Sequence, residues 1–346
     1  MNLKPAVAAA ATCANPDNIM PKFRSVRRVM EKPYQHWVGD GFHVYPVFAD
    51  LAFKEELSPL LMFDYGAPKK FPSKVGKPRG VGQHPHRGFE TVTIAFQGEV
   101  EHHDNKGNSG VIGPGDVQWM TAGRGIIHEE YHSKNFTRDG GTLEMCQLWV
   151  NLPKKHKMTK PRYQSILKNQ IPTIELPLKH ALENNDEEKS DEQASSSTPL
   201  AKVRLIAGGG EVFGAVDGSV NGPAKTFSPV QMWDVILPKA GTQVDIPYPA
   251  DQSCIVFVRR GSVQVLSGDD NNGGKQKANK LGPQDVAIMH LDGSDMLRVK
   301  VESDDTSLLV MGGEPLNEPI AAQGPFVMNT REELQKAMLD YRSGKF

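Results

Sequence analysis

Residues 82–91 read GQHPHRGFET, which puts His84 and His86 one residue apart among glycines, a proline and an arginine. On a strand, alternate residues share a side, so two imidazoles in this spacing can meet one ion from a rigid platform. In a chain with 11 histidines the spacing alone is weak, and a further pair must complete the set. GRGIIHEEYH supplies it, because His128 and Glu130 repeat the two-apart pattern. The tight-turn stretches DNKGNSG and GPGD lie between the pairs, so two hairpins would bring them together. If the four side chains converge, they offer three neutral nitrogens and one carboxylate oxygen. That donor set suits iron, manganese, nickel, copper or zinc better than calcium or magnesium. Four protein ligands on a six-coordinate ion leave two positions open. The formal charge of about plus one then favours an anionic enolate or phenolate oxygen.

The elements that must hold these residues read as strands. GFHVYPVF, TVTIAFQG, GDVQWM, LEMCQLWV, QMWDVILP, QSCIVFVRRGSVQVL and TSLLVMGG alternate apolar and polar residues between turn formers, the pattern of a sandwich or barrel. Residues 183–199, ENNDEEKSDEQASSSTP, hold six acids, one lysine and a serine run. Such a stretch buries too little apolar surface to offset its ordering entropy, so it is expected to be a disordered linker or surface loop dividing the chain roughly in half. NTREELQKAMLDYRSGKF is the strong helix, capped by Asn329 or Thr330 with Glu333 completing a capping box, and with Leu334, Ala337, Met338 and Tyr341 on one face. The alanine-rich opening is expected to be a loose extension rather than a cleaved leader.

Forty basic and forty-one acidic residues leave a net charge of -1, which gives the molecule no general hold on nucleic acid. No apolar run reaches the ~20 residues that span a bilayer. Three cysteines, Cys13, Cys146 and Cys254, build neither a disulfide framework nor a paired-cysteine zinc site, which suits a reducing compartment.

HPHRGFETV, GVIGPGDVQWMTAGRGIIHEE, QLWVNLP, GGEPLNEPIAAQGPFVMNT and the closing DYRSGKF resemble the signature stretches of the pirin family in the cupin superfamily, over about Phe23 to Phe346. The resemblance implies an all-β bicupin, two stacked jelly-roll cupin barrels with a C-terminal helix. The expected segments are a flexible extension (1–22), an N-terminal metal-binding barrel (23–165), a connecting segment with the acidic insert (166–200) and a metal-free C-terminal barrel with the closing helix (201–346). It further implies one transition-metal ion per chain, iron foremost with other divalent metals open, held by His84, His86, His128 and Glu130. Around the second barrel's motifs only His290 stands where a ligand would be needed.

In the general cupin pattern Glu90 would be a ligand; in pirins the glutamate comes from the second motif, so Glu90 is expected outside the metal's contacts in a structural role. His102, His103 and His132 are expected as solvated strand-end or loop histidines. Gln147 resembles a polar residue facing the pirin pocket, able to steer a bound oxygen or hold a ligand in place. PKKFPSKVGKPRG (68–80) and RSVRRVM (24–30) read as solvated basic segments, with attraction of an anionic substrate or acidic partner as the functional alternative.

Two functions follow from the resemblance. The favoured one is a quercetin 2,3-dioxygenase-like enzyme that opens a flavonol or related aromatic enol with dioxygen and releases carbon monoxide, with Glu130 a candidate base as well as a ligand. The other is an iron-dependent, redox-sensitive regulator that binds a transcription factor without turnover. A monomer in the cytoplasm, with the nucleus added for the regulator, is the accompanying expectation.

Overall fold

The computed structural model describes residues 21–49, 54–180, 199–214, 220–267 and 277–346. The acidic insert, apart from Pro199, and the opening extension, apart from its last two residues, lie outside the described residues. All seven alternating segments form strands, and the expected all-β architecture holds, with antiparallel sheets and a C-terminal helix at Arg331–Arg342. Thr330 is that helix's N-cap; its hydroxyl accepts from the Glu333 amide while Glu333 reaches back to the Thr330 amide.

The chain divides into two compact units. One holds residues to Lys32, Ile171–Pro223 and Val230–Gly313; the other holds Pro33–Gln170, Ala224–Pro229 and Glu314–Phe346. The division differs from a cut at the acidic insert at both ends of the chain. The strand Val26–Met30 pairs with Val286–Met289 in the unit built mainly from the second half. The helix and the short hairpin Ala321–Gln323/Phe326–Met328 belong to the unit that carries the histidine motifs.

In the first of these units a seven-stranded and a five-stranded sheet enclose a continuous apolar filling that includes Val203, Leu205, Trp233, Val235, Val256 and Val310, all at 0% exposure. Such a filling is close-packed. His290 is exposed there. The segment 24–30 departs from the expected solvated loop: Arg24 is fully buried, donates to the carbonyls of Pro249 (2.5 Å) and His290 (3.3 Å), and lies over the Tyr248 ring.

The other unit pairs a seven-stranded sheet with a four-stranded one. Part of its interior is apolar, around Phe42, Val44, Phe71, Val100 and Met145. Another part is polar and equally buried: Thr93, His102, Gln118 and Thr121 are at 0% exposure and His128 at 1%. Buried polar groups persist only where they find partners, so this half of the barrel must be a connected network.

Candidate metal centre

The small sheet runs in the order Gly80–His86, Ile126–His132, Val100–Asp104, Ser109–Ile112. Its register puts His84 opposite His128, Asp104 opposite His128 on the other side, and His102 opposite Glu130. Directly opposed residues and their two-apart neighbours share a face, so His84, His86, His128, Glu130, His102 and Asp104 all belong to one side of the sheet. A bulge between His128 and Glu130 shifts the pairing with the first strand by one residue and re-aims the glutamate.

Three rings meet closely: His84 and His128 have centroids 4.2 Å apart, and His86 is 4.9 Å from each of the other two. Their nitrogens lie within 4.8 Å of one another, as a metal site requires. Glu130 falls into a second such group with His128 and His102, so His128 is common to both. Burial and the neighbouring rings pull His86 down to about 3 and hold His128 well below its ordinary value, which leaves both neutral with lone pairs to give. His84 donates through Nδ1 to the Gly82 carbonyl (2.9 Å), leaving its Nε2 as the ligand atom. Nδ1 of His86 and Nε2 of His128 are buried without a hydrogen-bond partner. A buried imidazole nitrogen left unpaired beside two others fits a transition-metal ion.

Glu130 is held from the facing sheet. Its Oε1 accepts from Gln118 Nε2 (3.1 Å) and Thr93 Oγ1 (3.2 Å), and its Oε2 from Gln147 Nε2 (2.7 Å). Gln147 thus holds the carboxylate in place. Glu130, His84 and Gln147 also line a cavity together with Asp64, Val38, Phe42, Val44, Val81 and Met145. Burial pushes the Asp64 carboxyl up to about 6, with His36 pulling weakly the other way.

Two expected surface histidines are interior. His102 has no exposed side-chain surface, and its ring stacks on Tyr163. His132 is 1% exposed, donates from Nε2 to the Gly41 carbonyl (2.8 Å) and packs among Phe42, Phe71 and Phe136. Only His103 keeps an outward position, with its side chain 45% exposed. Alternation along Val100–Asp104 carries the signal that separates His102 from His103. In the basic segment 68–80, Lys74 pairs with Asp40 (3.5 Å) and Lys69 and Lys77 lie over the rings of Trp37 and Tyr131.

Glu90 belongs to neither metal-capable group. It is 1% exposed, accepts from Thr121 Oγ1 at 2.6 Å, and has Arg162 at 3.9 Å. Burial pushes its carboxyl from an ordinary 4.5 up to about 7, although Thr121 and Arg162 favour the charged form. A raised folded-state value means the native state binds the extra proton, so stability is fully present below about 4.5 and is lost as pH rises through about 7. Glu90→Gln is therefore expected to gain on wild type between pH 5 and pH 8, by an amount on the order of 3 kcal/mol. Urea unfolding at the two pH values measures it; an unchanged difference would place the Glu90 carboxyl outside this window.

The strand carrying His86 is clamped at its end by the C-terminal segment. Arg87 NH1 meets Asp340 Oδ2 at 2.9 Å, its Nε donates to the Arg124 carbonyl (2.6 Å), and its guanidinium stacks on the Phe346 ring. Val327 donates to the Arg87 carbonyl (3.0 Å). Gly88 has φ +90°, and a Cβ there would overlap the Val327 carbonyl oxygen, which accounts for the glycine in HPHRGFE.

The Pirin family pattern matches residues 41–150, and that of the Pirin C-terminal cupin domain matches residues 232–346. A Pseudomonas aeruginosa protein named "Putative quercetin 2,3-dioxygenase" is 46% identical over 90% of this chain and 94% of its own. Human pirin is 33% identical over 84% of this chain and 83% of its own. The crystal structure of a quercetin 2,3-dioxygenase from Acinetobacter baumannii superimposes with a TM-score of 0.77 at 41% identity, covering 94% of this chain and 98% of that one. Two family patterns that together take in more than half the chain, and relatives aligned along most of its length, settle the kinship: the chain belongs to the pirin family of two-cupin proteins.

Proposed function

We propose that the chain is a metal-dependent dioxygenase acting on a flat aromatic enol of the flavonol type, with release of carbon monoxide. The observation that carries this reading is the lining of the cavity, which has apolar walls and brings His84 and Glu130 together beside Asp64 and Gln147. Its few convergent polar groups are what small-molecule sites use to fix orientation. The naming of two close relatives after quercetin 2,3-dioxygenase supports the same substrate class.

In this reading His84, His86, His128 and Glu130 hold the ion, with iron the first metal to test. When bound, the ion would supply a Lewis-acidic contact for the substrate oxygen and the one-electron chemistry that dioxygen needs to react with a closed-shell molecule. Val38, Phe42, Val44, Val81 and Met145 exclude water from the aromatic rings. The substrate hydroxyl must lose its proton. Glu130 was expected to serve as ligand and base together, but its oxygens already accept three hydrogen bonds, which engage lone pairs that a base would use. We keep Glu130 as the ligand and give the proton to Asp64, whose carboxyl titrates near 6 and is charged at neutral pH.

The test is elemental analysis of tag-free protein followed by carbon monoxide detection with quercetin under air. Asp64→Asn is expected to lower kcat by about 10²–10⁴ while leaving metal content unchanged, and the wild-type rate is expected to fall as pH drops through about 6. Full activity in Asp64→Asn would return the base role to Glu130. Stoichiometric metal without carbon monoxide would favour the regulator, in which the metal shapes a surface for a protein partner.

A further inference from the structure

His102 lies beside the proposed ligands, and its hydrogen bonds bear on its own tautomer and on that of His128. Its Nε2 is 3.3 Å from Asp104 Oδ2, and neither side chain has exposed surface. Asp104 is itself anchored: its Oδ1 accepts from the amides of Lys106 (2.8 Å) and Asn108 (3.0 Å), and its Oδ2 from Asn108 Nδ2 (2.9 Å). A carboxylate that accepts only requires His102 Nε2 to carry a hydrogen.

On the other side of the ring, Nδ1 of His102 is 3.3 Å from Gln118 Nε2 and 3.4 Å from Nδ1 of His128. The Gln118 amide has one orientation available, because its nitrogen also faces Glu130 Oε1 at 3.1 Å and its oxygen receives the Tyr163 hydroxyl at 3.4 Å. Gln118 therefore donates to His102, and Nδ1 of His102 is the acceptor. The remaining contact is then determined: Nδ1 of His128 carries a hydrogen and donates to His102. Two donors share one lone pair, in keeping with the long distances of both. Nε2 of His128, buried without a hydrogen-bond partner, is left with its lone pair free.

We infer that His102 is a positioning residue for the metal centre, holding His128 in the tautomer and ring orientation that aims Nε2 at the ion, with Asp104 fixing His102 from behind. The inference rests on the metal reading of the site and is independent of the flavonol reading. Partners of this kind tune the ligand without touching the metal, and their loss costs about 10–100-fold in metal affinity. Through Gln118 the same ring also reaches Glu130, so one side chain keeps two of the four proposed ligands in register.

The probe is cobalt(II) binding to apo-protein, read by titration and by the visible spectrum of the bound ion, with circular dichroism and the thermal midpoint of each apo-protein as controls. His102→Phe keeps a buried flat aromatic ring but has no acceptor, and is expected to weaken cobalt binding about 10–100-fold. His102→Asn places an amide oxygen where Nδ1 stood, and is expected to stay within a few-fold of wild type with the same cobalt spectrum. Wild-type affinity in His102→Phe would overturn the inference. So would equal losses in both variants, or a cobalt spectrum in His102→Asn that has lost a nitrogen ligand, since either result would make His102 a ligand or mere packing. A wild type that binds no cobalt or iron would sink the metal reading itself. Binding without quercetin turnover would leave this inference standing and count against the proposed reaction alone.

Discussion

His86→Ala is expected to abolish stoichiometric metal binding, and carbon monoxide release with it. His86 is 3% exposed, its Nδ1 has no hydrogen-bond partner, and its ring stands 4.9 Å from both His84 and His128. Removing it takes one of three clustered imidazoles, a larger change than the loss of an outer partner, so the affinity should fall by more than the ~10–100-fold typical of such partners. The cleanest readout is thermal. A ligand that binds only the native state at 100 times its Kd adds about 2.7 kcal/mol, so added metal should raise the wild-type Tm and leave that of His86→Ala where it was. Glu130→Ala would be harder to read, because it also strips the acceptor from Thr93, Gln118 and Gln147. A His86→Ala protein that still carries one ion and turns over quercetin would end the three-histidine reading.

The legible part of this site is the part governed by local geometry. His84 and His86 share a face because strands have period two, and His128 and Glu130 repeat that parity. The strands themselves follow from alternation, and the helix from its cap and face. What the sequence conceals depends on which strands lie side by side. His102 differs from His103 only in parity, and its importance follows from the register that sets it opposite Glu130. Asp64 sits inside the apolar run LLMFDYG, and only its pairing with Gln147 across the large sheet marks it as facing the cavity. The exchange of chain ends is invisible for a similar reason. Periodicity identifies the helix Arg331–Arg342 but not the barrel it serves, and the burial of Arg24 depends on carbonyls more than two hundred residues away. The pirin stretches GPFVMNT and DYRSGKF gain a physical meaning here, since Val327, Asp340 and Phe346 all contact Arg87, the residue after His86.

The same clamp yields the second large effect, at Lys157. This residue is 2% exposed, and its Nζ donates to the Gly88 carbonyl (2.8 Å), to Asn151 Oδ1 (2.7 Å) and to the Val327 carbonyl (3.0 Å). It therefore ties the turn after His86 to the C-terminal segment and to the strand Gly141–Asn151. Burial pulls its ammonium down to about 7, with Glu318 and Glu333 opposing. Lys157→Met keeps the length and apolar stem but removes every donor, leaving three buried acceptors unmatched at about 1–3 kcal/mol each. Relief of the buried ammonium offsets part of that, so a net destabilisation on the order of 3 kcal/mol is expected, which for a domain of this size lowers Tm by about 10 °C. Metal affinity should fall as well, because the Gly88 carbonyl lies two residues from His86 and the freed turn no longer fixes that ring. A Lys157→Met protein with unchanged Tm and unchanged metal affinity would mean that the desolvation of the ammonium equals everything its three hydrogen bonds contribute. The hold of the C-terminal segment on the strand carrying His86 would then reside in Arg87, through Asp340 and Phe346.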